Sequence, residues 1–233
     1  MRNYDKFKLN KRLLKCADMI TPGAKVADIG TDHAYLPIYL VLKEKIISAI
    51  ASDLREGPLK NAKCNIEKYN LEKIIKTRLS DGLKNISETE ADEIVIAGMG
   101  GNLISQILTE CNWKNKKFKK FILQPMKYEN NLRTYLASEG YRVEEEYAVE
   151  SENKIYVVMK ASYTGIPYIL SDVEKYIGLL KNSTDFTAKL YINKQINNLI
   201  NHKKGAKAEN LKSEELYYSE IIKNLKNILN VKS

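Results

Sequence analysis

Four apolar runs in this chain each end in residues capable of chemistry. KVADIG leads into Asp28, Gly30, Thr31, Asp32 and His33. IISAIASD ends at Asp53, with Leu54 next. IIKTRLSDGL ends at Asp81 and Gly82, and DEIVIAGMGG at Ala97, Gly98, Met99, Gly100 and Gly101. Singly, each cluster has an ordinary explanation. Asp28 could cap a helix, Asp53 could be an exposed loop acid, and Asp81-Gly82 is a common turn pair. His33 could be a structural hydrogen-bonder, and the glycine cluster a tight turn. Their placement at successive run ends suggests one shared pocket.

Asp53 follows Asp28 by 25 residues. An acid at the end of a second strand can accept hydrogen bonds from ribose hydroxyls, as in dinucleotide folds. The phosphate signature is missing, however. A dinucleotide loop uses Gly-x-Gly-x-x-Gly to bring backbone against a pyrophosphate. Here the matching positions read Gly30-Thr31-Asp32-His33-Ala34-Tyr35. Carboxylates at Asp28 and Asp32 would repel a pyrophosphate and suit a cation. S-adenosylmethionine joins a sulfonium and an ammonium to a ribose, so the turn matches that cofactor better than NAD. The expected cofactor contacts are Asp28, Gly30, Thr31, His33, Asp53, Leu54, Asp81, Gly82, Ala97, Gly98 and Met99.

Such a pocket needs strands to aim its residues. Leu9, Leu13, Cys16, Ala17 and Ile20 have helical spacing over residues 9–20, and TPG ends that helix. Five strands then alternate with helices through about residue 140: KVADIG, IISAIASD, IIKTRLSDGL, DEIVIAGMGG and KKFILQPM. Alternation implies parallel strands joined by right-handed crossovers, with helices on both faces. YRVEEEYAVE and KIYVVMKAS have no helix between them and should form an antiparallel edge hairpin. The expected fold class is α/β, a Rossmann-like, mostly parallel sheet of the class I methyltransferase type. In such sheets ligands bind beyond the carboxyl ends of the strands, where strand order reverses.

After YTGIP the strand signal fades. Ser171 and Glu174 fit a capping box. Helices are expected over 172–181 and 185–203, then a polar turn KKGAKAEN. A last helix carries Tyr218, Ile222, Leu225 and Leu229 at steps of four and three. The domains read as residues 1–165, binding S-adenosylmethionine, and residues 166–233, a helical hairpin of coiled-coil-like character.

Composition narrows the setting. No apolar run reaches the ~18 residues a membrane span needs, and the charged start is unlike a signal peptide. Cys16, Cys64 and Cys111 are odd in number and far apart. Neither a zinc site nor a disulfide-linked partner is expected, and the protein reads as cytoplasmic. The net charge is +9, with 11 basic against 7 acidic residues after Gly165. A positive field favours polyanionic partners.

The segments ADIGTDHAYLP, ASDLREGPLKNA, LSDGL, IAGMGGNLI, ILQPM, LRTYLASEGY and ENKIY occur in that order. Together they resemble the bacterial TrmK family, S-adenosylmethionine-dependent tRNA (adenine-N1)-methyltransferases acting at position 22 of tRNA. The resemblance spans residues 9–163 and extends loosely to the helical tail. It implies a class I fold, cofactor contacts at the first four strand ends, and tRNA as substrate. One position departs. That family often reads Leu-Gln-Pro-Asn after the fifth strand, where this chain has Met126.

With an adenine as target, Asp32, His33, Met99 and Gly100 are expected to face the methyl group, and Gln124 to read an edge of the base. KNKKFKK at 114–120, the amino-terminal KFKLNKRLLK, and Lys203, Lys204 and Lys207 are expected to meet RNA. Tyr128, Tyr35 and Phe7 could stack on bases. A monomer is expected. Two other readings stay open: a methyltransferase for a small molecule or protein, and a non-catalytic RNA-binding module with a vestigial pocket.

Overall fold

The computed structural model describes residues 8–114 and 116–231. Seven strands form one sheet: β1 (Ala24–Ile29), β2 (Ile46–Asp53), β3 (Ile75–Leu79), β4 (Glu93–Met99), β5 (Lys120–Pro125), β6 (Tyr141–Ser151) and β7 (Lys154–Tyr163). Their order is β3-β2-β1-β4-β5-β7-β6. The first five strands are parallel to one another. β7 runs antiparallel to both β5 and β6. The chain winds outward from β1 to β3, then crosses back to lay β4 beside β1. That reversal puts a crevice between the carboxyl ends of β1 and β4.

Two apolar layers cover the sheet. On one face lie α1 (Lys11–Met19), α2 (Tyr35–Leu42) and α3 (Glu56–Lys68). Cys16, Leu36, Ile38, Ala62 and Ile66 pack there against Val26, Ala49 and Val95. Asn10 caps α1 by accepting from the Leu13 N–H. On the other face lie α4 (Gly101–Thr109) and α5 (Glu129–Ser138), with Ile104, Leu108, Leu132 and Leu136 against Ile96 and Phe121.

The tail holds α6 (Asp172–Ile177), α7 (Phe186–Ala208) and α8 (Lys212–Val231). The Ser171–Glu174 capping box forms as expected. A 3₁₀ segment over Gly178–Asn182 takes the last residues assigned to that helix in the sequence. α7 runs through Ala208, so the expected turn at 203–210 shortens to the residues just after it. Ala206 is buried, which offsets the cost of Gly205 inside a helix. α8 buries Ile221 as well as Ile222 and Leu225, a stripe wider than a coiled-coil seam.

The tail joins the core of the sheet. Ile177, Leu180, Tyr191, Ile192, Ile196 and Leu199 belong to the same apolar cluster as α4 and α5. A buried ion pair clasps the junction: Arg133 Nη2 on α5 lies 2.6 Å from Glu146 Oε1 on β6. Arg133 Nη1 also donates to the carbonyls of Lys175 and Tyr176, and Glu146 Oε2 accepts from the Leu179 N–H. A side chain at Gly178, where φ is 51°, would collide with Glu146.

Candidate active site

β1 delivers Asp28 as its penultimate residue, and the chain then turns at Gly30, where φ is 77°. The N–H groups of Gly30 and Thr31 both donate to the Ser52 carbonyl, each at 2.8 Å. Thr31 Oγ1 accepts from the Ala34 N–H at 3.1 Å. These donors are therefore spent within the protein. A phosphate-binding loop needs them free, so the turn is not built for a pyrophosphate. Ala34 enters α2 in the left-handed region, at φ 54°.

A cavity of about 240 Å³ opens above this turn. Asp28, Gly30, Thr31, Asp32 and His33 line it, with Ala97 and Gly98 of β4 opposite and Arg12 at one side. Burial pushes the Asp28 carboxyl up to about 6; the Thr31 hydroxyl opposes the rise and Asp53 adds to it. A carboxylate held at such a cost gains from a cation beside it. Asp32 stands outward, with His33 Nε2 3.2 Å from its Oδ2, and the His33 ring stacks on Tyr35 at 4.9 Å.

Asp53 is buried at the end of β2, and its Oδ1 accepts from the Arg55 N–H at 2.8 Å. Leu54 beside it is exposed. Neither lines the cavity, although Asp53 is near enough to act on the Asp28 carboxyl. Asp81 lies further out, its Oδ2 2.6 Å from Lys84 Nζ, while Gly82 turns back over Ile107 at φ 54°. The Ser80 N–H donates to the Asp53 carbonyl, which ties the third strand end to the second. Met99 folds back onto Gly30, and a side chain on that glycine would collide with its Cε. Gly100 starts α4, facing Lys127.

Gln124 departs from expectation. It is fully buried, and its Oε1 accepts from Gly98 N–H at 3.1 Å and Arg12 Nη1 at 2.6 Å. Its Nε2 donates to the Pro125 carbonyl at 2.8 Å. An amide so engaged has no edge to offer a base; it braces the bulge at Gly98, where the β4–β5 register shifts. The fifth strand is thus felt at the site through a hydrogen bond to backbone.

The lysine run at 114–120 is also misplaced. It precedes β5, so it sits at the amino end of the sheet, opposite the cavity. Lys119 donates inward to the carbonyls of Glu88 and Ala91, and Lys120 pairs with Glu144 at 2.6 Å. Phe7 and the start of the amino-terminal basic segment lie outside the described residues. Arg12 was expected to meet RNA as part of the amino-terminal basic segment; its place in the cavity wall was not anticipated. Yet it precedes buried Cys16 by four residues and buried Met19 by seven, the spacing of one helix face.

The cavity can test a cofactor by its donor set. A buried, proton-hungry Asp28 suits an ammonium or sulfonium. Asp53 retains acceptor capacity for a ribose diol. The occupied N–H groups exclude a diphosphate. S-adenosylmethionine fits; a dinucleotide does not.

Comparison with known proteins agrees. A family model described as a methyltransferase domain matches residues 9–159. The tRNA (adenine(22)-N(1))-methyltransferase of Bacillus subtilis is 43% identical over 157 residues, 67% of this chain and 66% of that protein. The crystal structure of the B. subtilis m1A22 tRNA methyltransferase TrmK superposes with a TM-score of 0.85 at 32% identity, covering 96% of this chain and 99% of that one. The chain belongs to the TrmK family. A further TrmK-like structure comes from Streptococcus pneumoniae, Sp1610, described as a putative tRNA (m1A22) methyltransferase in complex with S-adenosyl-L-methionine. It gives a TM-score of 0.82 at 32% identity, with 95% of this chain and 100% of that one covered. The TrmK fold therefore extends over the helical tail as well as the sheet.

Proposed function

We propose that this protein transfers a methyl group from S-adenosylmethionine to N1 of an adenine in tRNA, at position 22 as in its named relatives. The observation that supports this most is the single cavity uniting Asp28, Gly30, Asp32, His33 and Gly98 beyond the strand ends. When bound there, the cofactor supplies an electrophilic methyl on a sulfonium. Asp28 holds the ammonium end and Asp53 the ribose, with Leu54, Asp81 and Gly82 as the outer rim. Gly30, Thr31, Ala97 and Gly98 form the close-fitting floor.

Adenine N1 has an in-plane lone pair and no proton, so no general base is needed before the bond forms. Alignment is then the main contribution of the protein, on the order of 7–11 kcal/mol when geometry is near ideal. Met99 and Gly100 shape the approach, and the Gln124 brace holds Gly98 in place. The methylated base becomes cationic. The Asp32 carboxylate, on the cavity wall, offsets that developing charge, and His33 steadies Asp32 from 3.2 Å.

The setting is cytoplasmic, where tRNA is processed. Among the described residues no helix is long and apolar enough to cross a membrane. The decisive experiment incubates the protein with labelled S-adenosylmethionine and unmodified tRNA and maps the product by mass spectrometry. One 1-methyladenosine at position 22 is expected. Methyl transfer to a metabolite with none to tRNA would overturn the reading.

A further inference from the structure

Beside the cofactor cavity, the carboxyl end of the sheet has a second feature. A cavity of about 390 Å³ lies between Met126, Tyr156, Lys154 and Lys194. Another of about 380 Å³ lies between Met126, Tyr128 and α7. Both have Met126 and Lys194 in their walls, so they form one groove between the loop after β5, the β6–β7 turn and the helical tail. Topology explains the basic charge there. β7 is antiparallel to β5 and begins at Lys154, so that lysine sits at the site end of the sheet. Lys127 directly follows β5 and Met126. Among the described residues the only carboxylate lining the groove is Glu129, 3.4 Å from Lys194 Nζ.

Arg12 separates this groove from the cofactor cavity. It lines the cavity, yet Nη1 also reaches Met126 Sδ at 3.4 Å, and its guanidinium lies over Tyr156 at 5.0 Å. The groove therefore ends against the wall of the cofactor cavity.

Tyr128 is the unusual residue in it. The residue is 48% exposed, although its backbone is tightly fixed. It adopts φ 60°, ψ 40°, a conformation costing a non-glycine residue ~1–3 kcal/mol. The loop is pinned by the Met126 N–H to Met99 carbonyl bond and the Gly101 N–H to Lys127 carbonyl bond, each 2.8 Å. A side chain at Gly101 would collide with the Tyr128 carbonyl oxygen. The outcome is a solvent-facing aromatic side chain on a fixed backbone, with Lys127 Nζ 5.1 Å from the ring centroid. A flat ring beside a cation is the pairing that single-stranded nucleic acid uses, base on ring and phosphate on lysine.

We propose that this groove takes the RNA strand to the methyl-transfer site, with Lys127 and Lys154 neutralising its phosphates and Tyr128 stacking an unpaired base. The inference rests on the tRNA reading above. Lys194, tied to Glu129 and to the Ile155 carbonyl at 2.9 Å, holds α7 against the hairpin turn and sets the groove width.

The test compares Tyr128→Ala, Tyr128→Phe, the double variant Lys127→Gln/Lys154→Gln, and Lys117→Gln at the opposite end of the sheet. Tyr128→Ala should lower kcat/KM for tRNA about 10- to 100-fold, and Tyr128→Phe should restore it. S-adenosylmethionine affinity by calorimetry should stay within twofold, which separates a lost stacking surface from a misfolded site. The double variant should flatten the log–log salt dependence of tRNA binding by about 1.4–1.8, and Lys117→Gln should leave it unchanged. If wild-type protein methylates tRNA while Tyr128→Ala and the double variant match it, the groove is wrong and the tRNA reading stands. A wild type that transfers no methyl to tRNA overturns both.

Discussion

The cavity above β1 and β4 and the groove beside β7 share a wall at Arg12 and Met126, yet their linings are opposite. The first presents Asp28 and Asp32 above a turn whose Gly30 and Thr31 N–H groups are already used. The second presents Lys127, Lys154 and Lys194 among tyrosines. A cationic cofactor and a polyanionic substrate must meet within a few ångströms, and each is attracted by what would repel the other. Sorting the charges into adjoining compartments solves this, because a phosphate held at Lys154 need not approach Asp28. Arg12 fits the boundary: its guanidinium is engaged by the Gln124 carbonyl oxygen and the Tyr156 ring.

The two compartments also differ in what supports them. The cavity stands on the parallel sheet. One wall of the groove is α7, attached through the buried Arg133–Glu146 pair. Glu146→Ala should therefore have the largest effect, about 3–5 kcal/mol of lost stability, since it strands a buried guanidinium. Denaturant unfolding would measure it; a loss below 1 kcal/mol would mean the tail is held by its apolar contacts alone. Next comes Asp53→Ala, expected to weaken S-adenosylmethionine by ~1–3 kcal/mol with tRNA affinity unchanged. An equal loss of both ligands would erase the distinction between the compartments.

A pH titration sharpens it further. Asp28 is raised from 3.8 to about 6. Its raised value stabilises the ligand-free fold below the unfolded pKa, and that contribution is lost as pH rises through about 6. Cofactor binding needs the ionised form, so affinity should fall as pH drops below about 6, while tRNA binding through lysines should not weaken. Calorimetry at pH 5 and 7.5 reads the difference, and a flat cofactor profile would remove Asp28 from the ammonium. The smallest effect is expected from Gln124→Leu. It frees the Gly98 N–H and the Arg12 guanidinium in the cavity wall and should weaken S-adenosylmethionine a few-fold with the KM for tRNA unchanged; a base-reading Gln124 would instead raise the KM for tRNA.

Much of the cavity was legible in the sequence because parallel strands repeat one geometry. Wherever Asp or Gly ends an apolar run, it arrives at the same edge, so Asp28, Gly30 and Gly98 could be grouped without coordinates. The groove was less legible, because its lysines are single residues on separate elements. The conspicuous run at 114–120 drew attention, though preceding a parallel strand already places it at the wrong end. Gln124 illustrates a second limit. Its type suggests base recognition, but its partners are Gly98 and Arg12, the latter 112 positions away, and no local pattern encodes that contact. The tail shows a third. Periodicity revealed helices, while their fusion with the core of the sheet depends on Tyr191 and Glu146 both meeting Arg133 across a tertiary junction.

The most direct test is calorimetric titration of S-adenosylmethionine into wild-type protein and Asp28→Asn at neutral pH. Saturable one-site binding to the wild type, weakened at least tenfold in the variant, is the predicted result. No heat from the wild type, or equal affinities for the two proteins, would contradict a cationic donor held at the end of β1.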